Sequence, residues 1–197
     1  MPDTTSAPLG LRERKKARTR QALQEAALRL IREQGYDATT VDQIAAAAEV
    51  SPATFFRYFP TKEDVIIEDE YDPLLIQRWH ELPATGSPIR RVREVIKSTL
   101  SELSQADIDA ILERTELMYS VPQIKARVWD NWLRTQHVFD ELVAGQLGTT
   151  PTDLRVRTIT GAMMGAIMSI FEIWVADPSL DLVDMLDRSL ALLEDGL

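Results

Sequence analysis

The 197-residue sequence predicts an all-α protein in two parts, an N-terminal three-helix helix-turn-helix head and a larger C-terminal helical domain. Three observations lead there. Through most of the chain apolar residues recur every three or four positions. Prolines and glycines fall almost everywhere between those periodic segments. No stretch alternates apolar and polar residues for long, and there is no internal repeat or low-complexity block.

The elements follow in order. The first helix carries Ala22, Leu23, Ala26, Ala27, Leu30 and Ile31 on one face and should end near Gly35. A short alanine-rich second helix follows Thr40, whose hydroxyl caps it while Gln43 closes a capping box. The third opens with Ser51 as cap and Pro52 at its first position, where a missing N–H is harmless, and Pro60 ends it. Thr61 and Asp64 form another capping box, opening a fourth helix through "KEDVIIEDEYD" that Pro73 must kink or break. Further helices are expected at 88–104, 106–120, 122–147, 151–176 and 179–194. Residues 1–10 read as a disordered tail, 11–62 as the head and 63–197 as the second domain.

Charge is unevenly distributed. The net charge is −9, yet residues 1–62 hold ten Lys plus Arg against seven Asp plus Glu, and the remaining residues hold twelve against twenty-four. In "LRERKKARTR", Leu11 to Arg20, six residues are basic and one acidic. Such segregation points to a polyanionic partner, nucleic acid or membrane, for one end only. Cysteine is absent, which excludes disulfides and thiolate chemistry. The N-terminus lacks the basic-then-apolar order of a secretion signal. The most apolar stretch, 158–171, reaches about 21 Å against a hydrocarbon core of ~30 Å. The expectation is a soluble cytoplasmic protein with no membrane partner.

Two short helices joined by a turn, "TTVDQIAAAAEV" then "SPATFFRYF", have the size and order of a helix-turn-helix. The third helix, about 12 Å long, is comparable to the width of a DNA major groove. Phe55 and Phe59 share one face and, with Ile44 and Val50, form a small core; Pro52, Ala53, Phe56 and Arg57 lie on the opposite side. Over about residues 14–65, "TTVDQIAAAAEVSPATFFRYFPTKEDV" resembles the DNA-binding segment of the tetracycline-repressor (TetR) family. The resemblance implies that Thr40, Tyr58 and Lys62, with Thr54 as a weaker candidate, hold backbone phosphates, and that Pro52, Ala53, Phe56 and Arg57 face bases. Chemically the division is sensible: hydroxyl, phenol and ammonium position the protein, while a guanidinium can grip a guanine edge by two bonds. Two residues depart from the family pattern. Phe56 stands where tyrosine is common, and Glu49 stands in the turn where glycine is common, so a left-handed backbone there would cost about 1 kcal/mol.

For the acidic remainder, the resemblance implies effector binding and pairing of subunits through the last two long helices. Gly161, Ala162, Gly165 and Ala166 lie on the most apolar helix and would let another backbone approach. Together with Leu182 and Leu186 of the last helix they are the expected homodimer face. Two recognition helices about 34 Å apart would then suit a palindromic operator on double-stranded DNA. Trp79, Met118, Trp129, Trp132, Phe139, Met164, Met168 and Phe171 are the candidate lining of a pocket for a small, largely apolar effector; acyl-CoA sensors occur in the family. No metal or cofactor is expected, because His80 and His137 stand without partners at ligand spacing. Nor is there a P-loop, dinucleotide fingerprint or nucleophile elbow. The leading expectation is a ligand-responsive repressor. The rivals are a regulator that recruits a protein partner without sensing a ligand and, remotely, an enzyme using the C-terminal cavity.

Overall fold

The computed structural model describes residues 11–68 and 71–196; the N-terminal ten residues expected to be a tail lie outside them. The described residues are helical throughout, without strands. They divide into two compact units with the boundary between Ile66 and Ile67.

In the first unit α2 (Val41–Ala47) packs on both α1 (Leu11–Gln34) and α3 (Pro52–Tyr58), and α4 (Asp64–Ile67) begins at its end. The boundaries follow from local chemistry. Thr40 and Gln43 close the capping box at α2 in both directions. Ser51 accepts from the Thr54 N–H at 3.1 Å, and Pro52 takes the first position of α3. Thr61 and Asp64 reciprocate likewise at α4. The core of this unit is Leu23, Ala27, Ile31, Ile44, Phe55 and Phe59, all 5% exposed or less. Burying two phenyl groups fully stabilises the head by roughly 3–6 kcal/mol. Val50 is only half-buried, at the margin of that core.

The second unit contains α5 (Tyr71–Glu81), α6 (Pro88–Leu100), α7 (Gln105–Ser120), α8 (Pro122–Leu147), α9 (Leu154–Ala176) and α10 (Leu182–Asp195). Four expectations are corrected here. Pro73 neither kinks nor ends a helix: α4 stops at Ile67, and Pro73 sits in the first turn of α5, where its missing N–H has no partner to lose. The helix expected from 151 starts at Leu154 because Asp153 caps it, and the one expected from 179 starts at Leu182 because Asp181 does. At 23 residues, about 35 Å, α9 is long and apolar enough by length and composition to cross a membrane, so the fourteen-residue measure understated it. Only 22% of its most apolar window is buried within the chain.

The core of this unit gathers Trp79, Val92, Val95, Val143, Val156, Met163 and Trp174 with Leu182, Leu186 and Leu190. Leu182 and Leu186, expected on a homodimer face, are thus 4% and 2% exposed against their own chain. Apolar periodicity marks burial; it does not say which chain supplies the cover. Polar clasps tie the helices. Arg93 on α6 bonds Asp187 at 2.9 Å and Glu194 at 2.7 Å on α10. Buried Asp140 on α8 accepts from Arg157 and from Thr160, the latter at 2.5 Å, on α9.

Candidate nucleic-acid interface

The site is built outward from α3. Phe55 and Phe59, one turn apart, are completely buried with ring centroids 5.8 Å apart, so the opposite side of the helix must face out. There Pro52, Ala53, Phe56 and Arg57 are all exposed, Phe56 to 53%. Phe56 meets Phe55 edge-on at 5.5 Å, which fixes an exposed ring that otherwise has little reason to hold still. Arg57 carries its guanidinium 5.5 Å from the centroid of the Tyr58 ring. These four side chains, expected to face bases, therefore share one free surface about 10 Å long.

The four residues expected at phosphates each have work inside the head as well. Thr40 is exposed but its hydroxyl accepts the Gln43 N–H at 3.2 Å. The Thr54 hydroxyl lies 3.0 Å from that of Ser51. Tyr58 is half-buried beside Arg57. Lys62 donates to the carbonyl oxygens of Tyr36 and Thr39, both at 2.9 Å, and so ties the approach to α4 to the turn between α1 and α2. A hydroxyl has two lone pairs and an ammonium three protons, so each retains capacity for a further partner.

Sequence reasoning missed two features of the head. Tyr36 donates its phenol to Glu63; burial, that hydrogen bond and the neighbouring carboxylates push the phenol's pKa well above its ordinary value. Burial works against the Glu63 carboxylate, but the bond from Tyr36, a backbone bond, the Thr61 hydroxyl and the charge of Lys62 outweigh it and lower its pKa. Arg20 lies 4.6 Å from the centroid of Phe59, a cation over the ring that closes α3. Neither contact has a periodic signature. The anticipated strain is present: Glu49 has φ +56°, the left-handed turn that glycine would adopt without cost.

In the second unit the candidate pocket residues separate. Trp79 is buried under the Arg91 guanidinium at 4.2 Å, and Phe139 and Phe171 pack with it around the core. Met164 is buried, and Met118, Trp132 and Met168 are half-buried. The carbonyl of Met168 accepts from Tyr119 at 3.1 Å, joining α7 to α9. Trp129 is 61% exposed, which corrects its placement in an interior lining. Of the expected dimer residues, Gly161 faces Gln136 of α8 within the same chain, and Ala166 packs against the core. Ala162 and Gly165 are exposed. Arg91 was overlooked: buried, it donates to the Trp79 and Leu82 carbonyls, and burial lowers its pKa.

A two-helix motif with a buried aromatic anchor and an exposed basic and aromatic surface, followed by an all-helical second unit, defines a helix-turn-helix DNA-binding regulator. The family model for bacterial regulatory proteins of the tetR family matches residues 23–68, and that of the MftR C-terminal domain matches residues 86–197. The chain belongs to the TetR family of transcriptional regulators. It is 37% identical over 114 residues to the transcriptional regulator TcmR of Streptomyces glaucescens, covering 56% of this chain and half of TcmR's length. Over 187 residues, 93% of each chain, it is 25% identical to the putative mycofactocin biosynthesis transcriptional regulator MftR of Mycobacterium tuberculosis. Thermus thermophilus FadR, a TetR-family transcriptional repressor solved in complex with lauroyl-CoA, superposes with a TM-score of 0.57 at 27% identity, covering 90% of this chain and 94% of FadR. These relatives are regulators of transcription, not enzymes.

Proposed function

We propose that the chain is a cytoplasmic homodimeric repressor that leaves a palindromic operator when its second unit binds a small, largely apolar effector, with acyl-CoA as the first class to test. The observation that carries the DNA half is the free quartet Pro52, Ala53, Phe56 and Arg57 above two fully buried phenyl rings. Arg57 reads a base edge and Phe56 touches thymine methyls, while Thr40, Thr54, Tyr58 and Lys62 set the register on the phosphates. The effector half rests on lesser support. FadR is solved with lauroyl-CoA, and the half-buried Met118, Trp132, Phe139, Met168 and Phe171 are adaptable lining.

Pairing through α9 is supported by its exposed small and apolar stripe, Ala162, Gly165, Ser169 and Ile173, spaced at one helical turn. An effector that favours one head spacing over another by a few kcal/mol shifts operator affinity by about 10²-fold.

One experiment addresses both halves: genomic fragments are selected on the purified chain, and the recovered duplex is titrated with acyl-CoAs of increasing length. The reading expects a palindrome released by one chain length. An effector at 100 times its dissociation constant also adds about 2.7 kcal/mol to stability. Recovery of a palindrome that no acyl-CoA releases, with no thermal shift, would favour a regulator that works through a protein partner.

A further inference from the structure

The basic run at the start of the chain is helical from Leu11 onward, and Arg12, Arg14, Lys15, Lys16 and Arg18 are all exposed. Burial in α1 begins only at Leu23. The core-facing side is marked by Leu23, Ala27 and Ile31, and stepping back by turns from Leu23 brings Arg20, Lys16 and Arg12 to that same side. Arg20 shows where it points. Its guanidinium lies 4.6 Å from the ring centroid of Phe59, the residue that closes α3. Lys16 then lies about 6 Å and Arg12 about 12 Å farther along the axis.

We propose that Arg12 and Lys16 form a row of phosphate-binding cations that continues the DNA footprint outward from the end of α3, gripping duplex backbone beyond the bases that α3 reads. The inference rests on the reading of the head as a DNA-binding unit. Electrostatics supports it. Arg12 with Lys16, Arg14 with Arg18 and Lys16 with Arg20 are like charges one turn apart, an arrangement that disfavours a free helix and that a polyanion relieves. An anionic membrane is the other polyanion to consider, but an interfacial helix needs an apolar face beside its cations. Between Arg12 and Arg20 the only apolar side chain described is Ala17.

The test uses the full chain, a labelled random-sequence duplex several helical turns long, and anisotropy between about 50 and about 200 mM NaCl. Wild type is compared with R12Q/K16Q, with R12K/K16R, and with R29Q, which removes an exposed α1 cation paired to Glu33 away from the row. The slope of log K against log salt should become shallower in R12Q/K16Q by about 0.9 per lost phosphate contact, about 1.8 per bound subunit. R12K/K16R and R29Q should keep the wild-type slope. Equal slopes for wild type and R12Q/K16Q overturn the proposal and leave the role of α3 intact. Wild type that binds no duplex overturns both. If R12Q/K16Q keeps its DNA slope but no longer sediments with phosphatidylserine vesicles that wild type binds, the row serves a membrane and the proposal fails.

Discussion

Lys62 holds its ammonium 3.7 Å from the centroid of the Tyr36 ring while donating to the Tyr36 and Thr39 carbonyls, each at 2.9 Å. A residue that resembles a phosphate ligand thus also pins the turn that joins α1 to α2, whose carbonyls no helix ladder satisfies. Lys62→Met keeps the stem and removes the charge, so it should cost about 1–2 kcal/mol of stability as well as DNA affinity. Urea unfolding without DNA separates the two effects. An unchanged midpoint beside lost DNA affinity would show that the carbonyl clasp contributes nothing.

Phe55 and Phe56 are neighbours with opposite duties. Phe55→Ala empties a site that is 0% exposed and should cost about 3–5 kcal/mol. Phe56→Ala removes a ring 53% exposed and should leave the unfolding midpoint within about 0.5 kcal/mol while weakening operator binding. Arg57→Ala should likewise fold normally but relax preference at one base step by about 1–3 kcal/mol. Selection from randomised duplexes by each variant reads this directly. Phe56→Ala with undiminished affinity would remove the ring from the interface.

The Arg93 clasp should shape acid stability. Hydrogen bonding to Arg93 holds the Asp187 carboxyl below the ordinary range. Burial acts to raise Glu194, but bonds from Arg93 and Ser87 and the charges of Arg90 and Arg93 outweigh it and lower its pKa. Both folded values are depressed, so the contribution is complete above the unfolded values of about 3.9 and 4.3 and is lost as pH falls through the folded ones. Arg93→Met should cost about 1–2 kcal/mol at neutral pH, and its deficit should shrink below about pH 4. Unfolding midpoints across that range test it; a deficit independent of pH would mean lost packing rather than lost charge.

Helix type and order were legible because period, caps and breakers agreed at almost every boundary: Thr40 with Gln43, Ser51 with Pro52, Thr61 with Asp64. Pro73, one of the boundaries that differed, shows why. A proline disrupts a helix interior and is harmless in a first turn, and the sequence around it does not say which turn it occupies. The exposed face of α3 was legible because two buried phenylalanines one turn apart fix what lies opposite. Less could be read in the second unit. Periodicity marked Leu182 and Leu186 as buried, which they are, but the apolar driving force is not directional and does not distinguish the chain's own α6 and α9 from helices of a second copy. Long-range contacts such as Lys62 on Tyr36, or Arg91 beneath the end of α5, join residues whose spacing carries no pattern.

Gly165 offers the sharpest test of pairing through α9. It is exposed, and a β-carbon placed there meets nothing of its own chain within 4 Å. Gly165→Ala should therefore favour the helix by about 0.8–1.0 kcal/mol within one subunit. Gly165→Trp, at the same exposed position, would hold a second backbone several ångströms away. On the proposed pairing it should keep its helical circular dichroism, sediment as a monomer where wild type sediments as a dimer, and bind the operator much more weakly because two heads no longer act together. If the tryptophan variant stays dimeric with full affinity, the pairing surface lies elsewhere, and the exposed Trp129 and Leu133 side of α8 becomes the next place to substitute.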